Sequence, residues 1–171
     1  AMNIESIGSE TIEDLYARGM INNVADLYEL NFYRILNMGK GYKARSAKNI
    51  IDGIERSKQV PFERVLFALG IRFVGETTAK QLAARFHDID SIASATTQQL
   101  LETNGVGAVI AESIQAWFAD MHNVFMLERL RAYGLQLALS EEAKSMQSDR
   151  LAGQSIVISG VFAYRSRDEY K

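Results

Sequence analysis

A short glycine-centred pattern recurs four times in this chain, and that recurrence constrains the fold more than any other feature. The four segments are Ser6-Ile7-Gly8-Ser9-Glu10-Thr11-Ile12, Gly41-Tyr42-Lys43-Ala44-Arg45-Ser46-Ala47, Phe73-Val74-Gly75-Glu76-Thr77-Thr78-Ala79 and Gly105-Val106-Gly107-Ala108-Val109-Ile110-Ala111. Their starts lie 35, 32 and 32 residues apart, which implies one supersecondary unit copied along the chain. Each copy precedes a segment whose apolar residues recur at helical spacing, such as Ile50, Ile51 and Ile54, or Ala111, Ile114 and Phe118. The unit therefore reads as helix, glycine hairpin, helix, with a short connector helix between copies. One such pair cannot bury both of its faces, so neighbouring copies must pack around a shared core. The expected class is all-α.

The apolar spacing predicts helices over 11–18, 24–30, 46–57, 61–69, 77–86, 89–95, 97–102, 109–118 and 123–133, and a short one capped by Asn31. Pro61 falls where a first-turn proline belongs, and Gly19, Gly70 and Gly134 fall where helices stop. Residues 1–138 form the repeat domain in this reading, and the polar stretch 139–150 forms a linker. Residues 151–171 change character. Gln154 to Gly160 reads as a buried strand ending at a glycine turn, and Ser166-Arg167-Asp168-Glu169 as a helix start. One strand and one helical turn make no core, so these residues read as the cut-off beginning of another domain.

A net charge of −2 looks unfavourable for a polyanion partner until it is divided by position. Residues 40–85 carry 10 basic and 4 acidic side chains, whereas 1–39 carry 2 and 6, and 86–149 carry 3 and 9. The last 22 residues carry 4 basic and 2 acidic. Exposed charges more than about 8 Å apart are largely screened at physiological salt, so one basic face suffices. That face covers the second and third repeats. With no cysteine, the chain has no disulfide and no Cys-ligated zinc. His87 and His122 are isolated, and no metal site is expected. No apolar run approaches the roughly 20 residues of a membrane span, and no secretory signal opens the chain. The composition suits a cytoplasmic protein.

A glycine turn that leads into a helix presents free backbone N–H groups at the positive end of the helix dipole, which suits a phosphate. The second glycine is expected to take positive φ and to let a phosphate approach the backbone. Such contacts touch no base edge, so the binding would be sequence-independent. The candidate DNA-binding residues are Gly8 in the first repeat and Lys40, Gly41, Lys43, Arg45, Ser46 and Lys48 around the second. Arg72, Gly75, Thr77, Thr78 and Lys80 serve the third, and Gly105 and Gly107 the fourth. The first repeat carries Glu10, Glu13 and Asp14, which oppose a phosphate. No catalytic residue is assigned, because no Ser-His-Asp or Cys-His set and no Walker-spaced lysine is present. Two other readings stand beside duplex binding: a repair-nuclease or junction-binding module, and a protein-interaction module using the acidic stretches. A steep salt dependence separates polyanion binding from the last of these.

The four aligned hairpins and the wording around them resemble the C-terminal region of bacterial NAD-dependent DNA ligases. The strings that carry the resemblance are Ala1-Met2-Asn3-Ile4, Val24-Ala25-Asp26-Leu27-Tyr28, Arg45-Ser46-Ala47-Lys48-Asn49 and the run from Leu66 to Lys80. The likeness covers residues 1 to about 138, and 151–171 resemble the first strand and turn of that family's BRCT domain. The resemblance implies four tandem helix-hairpin-helix repeats, a linker and a truncated α/β BRCT remnant. It implies a module that grips the minor-groove backbone of nicked double-stranded DNA while the ligase encircles it, working in cis with upstream domains. It further implies that NAD, Mg²⁺ and Zn²⁺ are held by those upstream domains, that no cofactor binds here, and that this piece alone does not ligate. Two departures stand out: Phe73 occupies a position where histidine is common, and Lys43 replaces the second glycine of its hairpin.

Overall fold

The four repeated segments adopt one backbone conformation. In a computed structural model, which describes residues 2, 4–39 and 41–149, the first position of each segment is left-handed. Ser6, Gly41, Phe73 and Gly105 have φ of 65°, 99°, 67° and 78°. Two residues later the chain is extended, at Gly8, Lys43, Gly75 and Gly107, with φ between −101° and −81° and ψ near 180°. Positive φ thus belongs to the first slot, contrary to the expectation for the second glycine. The reversal of chain direction comes one step before the helix, and the second slot is the helix N-cap. The residue between them, Ile7, Tyr42, Val74 or Val106, donates its N–H to the carbonyl three residues back at 2.9–3.3 Å. Lys43 fits the second slot without glycine because an extended N-cap accepts any residue.

A helix follows each N-cap: α1 (Ser9–Ala17), α3 (Ala44–Ser57), α5 (Glu76–Phe86) and α8 (Ala108–Ala119). Between them lie a 3₁₀ helix (Val24–Glu29), α2 (Phe32–Leu36), α4 (Phe62–Ala68), α6 (Ile89–Ala93) and α7 (Thr97–Leu101). The domain closes with α9 (Met121–Ala132). The last position of the repeated pattern explains its alanine. Ala47, Ala79 and Ala111 have no solvent exposure, so these helices pack closely through the turn after the hairpin. Three details differ from the sequence expectation. Pro61 is the N-cap of α4 rather than its first turn. Residues 24–29 tighten to 3₁₀ geometry, and the hairpin helices begin one or two residues earlier than their apolar spacing indicated.

The described residues fall into two units, which divide between Ser140 and Glu141. In the second, the segment read as a linker carries a helix, α10 (Glu141–Asp149). The strand expected over 154–160 and the helix start at 166–169 lie outside the described residues, so the BRCT-like reading rests on the sequence. Within the first unit there are two apolar clusters. One gathers Leu15, Ile35, Met38, Ile50 and Ile54 from α1 to α3. The other gathers Phe62, Leu66, Leu82, Ile89, Leu100, Ile114 and Leu130 from α4 to α9. The 3₁₀ helix joins them, with Ala25 in the second cluster, Leu27 in the first and Tyr28 packed on both.

Polar ties reinforce this joint. The Arg129 guanidinium donates to Asp26 at 2.7 Å and to Glu29 at 2.6 Å, and the Tyr133 hydroxyl donates to Glu29 at 2.6 Å. The Tyr133 ring stacks on Tyr28, whose hydroxyl meets Ser57 at 3.0 Å. Burial raises Asp26, but the Asn22 N–H, Arg129 and the Asn23 N–H together hold its carboxyl below the usual range. Tyr133 and Arg129 do the same for Glu29. Both folded values are depressed, so their stabilisation is present above the ordinary carboxylate range, about pH 4, and is lost as pH falls through the folded values.

Two consequences are testable. Arg129→Gln is expected to melt at lower temperature than the parent at pH 7. It should also lose less further stability between about pH 4 and pH 2, because the acid-sensitive pairing is already gone. Melting curves across pH read both effects. A Cβ on Gly53 would lie 2.5 Å from the Glu5 carbonyl oxygen, where α3 meets the chain before α1. Gly53→Ala is therefore expected to cost about 1–3 kcal/mol in denaturant unfolding, despite alanine's better helix propensity.

Candidate nucleic-acid interface

Five helices of the first unit are capped by a side chain, and the four hairpin helices are bare. Asn23, Asn31, Asp88, Thr96 and Asp120 each accept from a backbone N–H of the helix that follows, at 2.7–3.2 Å. At Gly8, Lys43, Gly75 and Gly107 no side chain makes that bond. Of the other described helices of the first unit, α4, opening on Pro61, is similarly bare. The first helical bond in each hairpin helix comes from the fourth residue past the cap: Ile12 to Gly8, Ala47 to Lys43, Ala79 to Gly75 and Ala111 to Gly107. The preceding N–H groups lie at the positive end of the helix dipole, and their residues Ser9, Glu10, Ala44, Arg45, Glu76, Thr77, Ala108 and Val109 are all exposed. A Cβ added at Gly8, Gly75 or Gly107 would meet nothing within 4 Å. Crowding inside the protein does not demand glycine there, and the open space faces outward.

Side chains rank the four hairpins. Lys43 and Arg45 are exposed, and among the described residues neither joins an ion pair. Lys48 is tied to Asp52 at 2.7 Å. Ser46 and Gly41 line a polar cleft together with Glu10, Thr11, Glu13 and Asp14 of α1. An anion entering that cleft would meet carboxylates, whereas Lys43 and Arg45 are not among its lining residues. Lys40 lies outside the described residues. Asp14 is held low by Arg18, which bonds it at 2.7 Å and reaches the Met38 carbonyl at 3.0 Å. Burial and the neighbouring Asp14 push the Tyr42 phenol up.

In the third hairpin, Lys80 pairs with Glu76 at 2.9 Å, which holds Glu76 low and cancels its own charge locally. Thr77 is exposed and Thr78 half-buried, and neither caps α5. Arg72 is exposed, its guanidinium 4.8 Å from the centroid of the Phe73 ring. Its carbonyl accepts from Ser113 of α8 at 2.7 Å, which joins the third hairpin to the helix of the fourth. Gly105 and Gly107 shape the fourth hairpin, whose first helical turn, Ala108 and Val109, is uncharged. The structure thus brings the candidates together in two pairs, hairpin one against two and hairpin three against four. Sequence reasoning did not separate free cations from paired ones. It also passed over the Arg72–Phe73 pair, although an aromatic in a glycine slot was a visible signal.

The arrangement suits anions, which would meet backbone N–H groups at each hairpin, Lys43 and Arg45 at the second and Arg72 at the third. Among the described residues no group of His, Asp and Glu could hold a metal ion, and no helix is long and apolar enough to cross a membrane. Residues 64–127 match the helix-hairpin-helix motif family, a span that contains the third and fourth hairpins. The whole chain aligns with proteins named DNA ligase: 53% identical in Phocaeicola vulgatus, 50% in Bacteroides fragilis and 46% in Flavobacterium psychrophilum. Along its whole length the chain is a homologue of DNA ligases. It spans about a quarter of these relatives, 26% of the length of each of the three.

This ligase homologue carries a prediction on its bare N-termini. Gly75→Ala and Gly107→Ala add a Cβ in unoccupied space at ordinary φ. Each is expected to stay within about 0.5 kcal/mol of the parent in denaturant unfolding, unlike Gly53→Ala.

Proposed function

We propose that this chain is the duplex-gripping part of an NAD-dependent DNA ligase, holding the sugar–phosphate backbone on the minor-groove side of a nick. Four helix-hairpin-helix repeats make up the gripping domain in this reading. The observation that carries it is the selective absence of side-chain caps on α1, α3, α5 and α8, while five other helices of the domain are capped. A phosphate oxygen can accept the N–H hydrogen bonds that a capping side chain would otherwise accept. Homology to proteins named DNA ligase supplies the context of nicked DNA.

The residues proposed to act have distinct roles. Lys43 and Arg45 neutralise phosphates at the second hairpin, with Lys40 beside them in sequence. Gly8, Gly75 and Gly107 leave room for a phosphate to reach the helix N-terminus, and Gly41 and Gly105 turn the chain. Arg72 and Thr77 contact the backbone at the third hairpin. Lys48 and Lys80 contribute less, because each is held by a carboxylate on its own helix. Ser46 and Thr78 are half-buried and serve at the edge of the contact. The strand-sealing chemistry, with NAD and its metal ions, belongs to other domains of the ligase, and this part contributes affinity and orientation.

Fluorescence anisotropy on nicked and intact duplexes across a salt series tests this reading. The parent chain is expected to show log affinity falling steeply with log salt, and Lys43→Ala/Arg45→Ala to reduce that slope by about two. A flat and weak response in the parent would sink the proposal.

A further inference from the structure

Phe73 is a large aromatic held where the fold gives it little reason to be. It occupies the left-handed slot of the third hairpin, with φ of 67°, a conformation that glycine meets without strain at Gly41 and Gly105. Its ring is 54% exposed, so it does not serve the apolar cluster beneath, which Ile71 and Val74 enter on either side of it. The ring nonetheless has a partner on one face. The Arg72 guanidinium lies over it at 4.8 Å, and the Arg72 carbonyl is held by Ser113 of α8. A strained backbone, an exposed ring and a cation on one of its faces together describe a preorganised contact for something outside the protein. The ring stands two residues before the bare N-terminus of α5, where the proposed phosphate docks.

We infer that Phe73 is an apolar DNA contact, packing its ring against the deoxyribose beside that phosphate in the minor groove. Arg72 clamps the ring and neutralises the neighbouring phosphate. The inference rests on the duplex-gripping reading and adds to it a component of affinity independent of salt. Sugar is the apolar part of the backbone, and no cation of the hairpins can exploit it. At the matching slot the first hairpin has Ser6 and the other two have glycine, so the third hairpin alone offers this contact.

Salt-series anisotropy with nicked duplex, run on the whole chain, separates the terms. Phe73→Gly is expected to weaken binding about five- to tenfold at every salt concentration, leaving the slope unchanged. Its melting temperature should not fall, because glycine relieves the strained slot. Phe73→Asn, which tolerates a left-handed backbone, should weaken binding in the same way, and Phe73→Tyr should restore it. Arg72→Ala should lower the slope by about one. Binding by Phe73→Gly and Phe73→Asn within twofold of the parent would overturn the inference and leave the duplex-gripping reading standing. A lower melting temperature in both would also overturn it, by making the ring a structural element. Failure of the parent chain to bind DNA would instead overturn the reading beneath.

Discussion

The structure depends on a two-step turn: a residue in the left-handed region, one buried or half-buried residue, then an extended residue that begins a helix. Reversing the chain before the helix starts puts an extended N-cap residue at the head of each hairpin helix. A serine, threonine or aspartate at the extended position would supply that cap, as Thr96 and Asp88 do elsewhere. The hairpins instead place glycine or lysine there, leaving orphan N–H groups that the chain could have satisfied internally. The same turn sets the packing. Val74 and Val106 bury the middle of the third and fourth turns, and Ala47, Ala79 and Ala111, four residues past the cap, bring their helices close to their neighbours. Core packing and bare helix N-termini therefore come from one device, copied.

Copying creates a problem of geometry, since turns divided between two apolar clusters keep a common orientation only if the clusters are held together. The two apolar clusters could flex against each other if only Ala25, Leu27 and Tyr28 joined them. Arg129, bonded to both Asp26 and Glu29, and the Tyr28–Tyr133 stack oppose that flexing. These residues are far apart in sequence, which is why the joint was invisible before the structure. No local pattern announces that Arg129 serves a 3₁₀ helix about a hundred residues earlier.

Much else was legible. The repeat spacing picked out four segments that share a left-handed residue followed two places later by an extended helix N-cap. The helices followed from apolar periodicity, with boundaries off by a residue or two where polar first turns such as Ser9-Glu10 and Ala44-Arg45 carry no apolar signal. Helical tightening at Val24–Glu29 was missed because six residues cannot distinguish a period of 3.0 from 3.6. The position of positive φ was misassigned because glycine marks both slots of the fourth hairpin. Ser6 and Phe73 show which slot is left-handed, as the conformation persists there without glycine.

Counting charges located the basic stretch but could not weigh it. Of the cations between Lys43 and Arg85, Lys48, Arg56, Lys58, Lys80 and Arg85 each lie within 3 Å of a carboxylate oxygen. Exposed pairs of this kind add little to stability, but each lowers the field that a phosphate would meet. No acidic residue stands three or four places from Lys43 or Arg45 on either side, so neither has a partner along its own helix. An anion at the second hairpin would then meet backbone N–H groups, the helix dipole and two free positive charges at a single point on a protein whose net charge is negative.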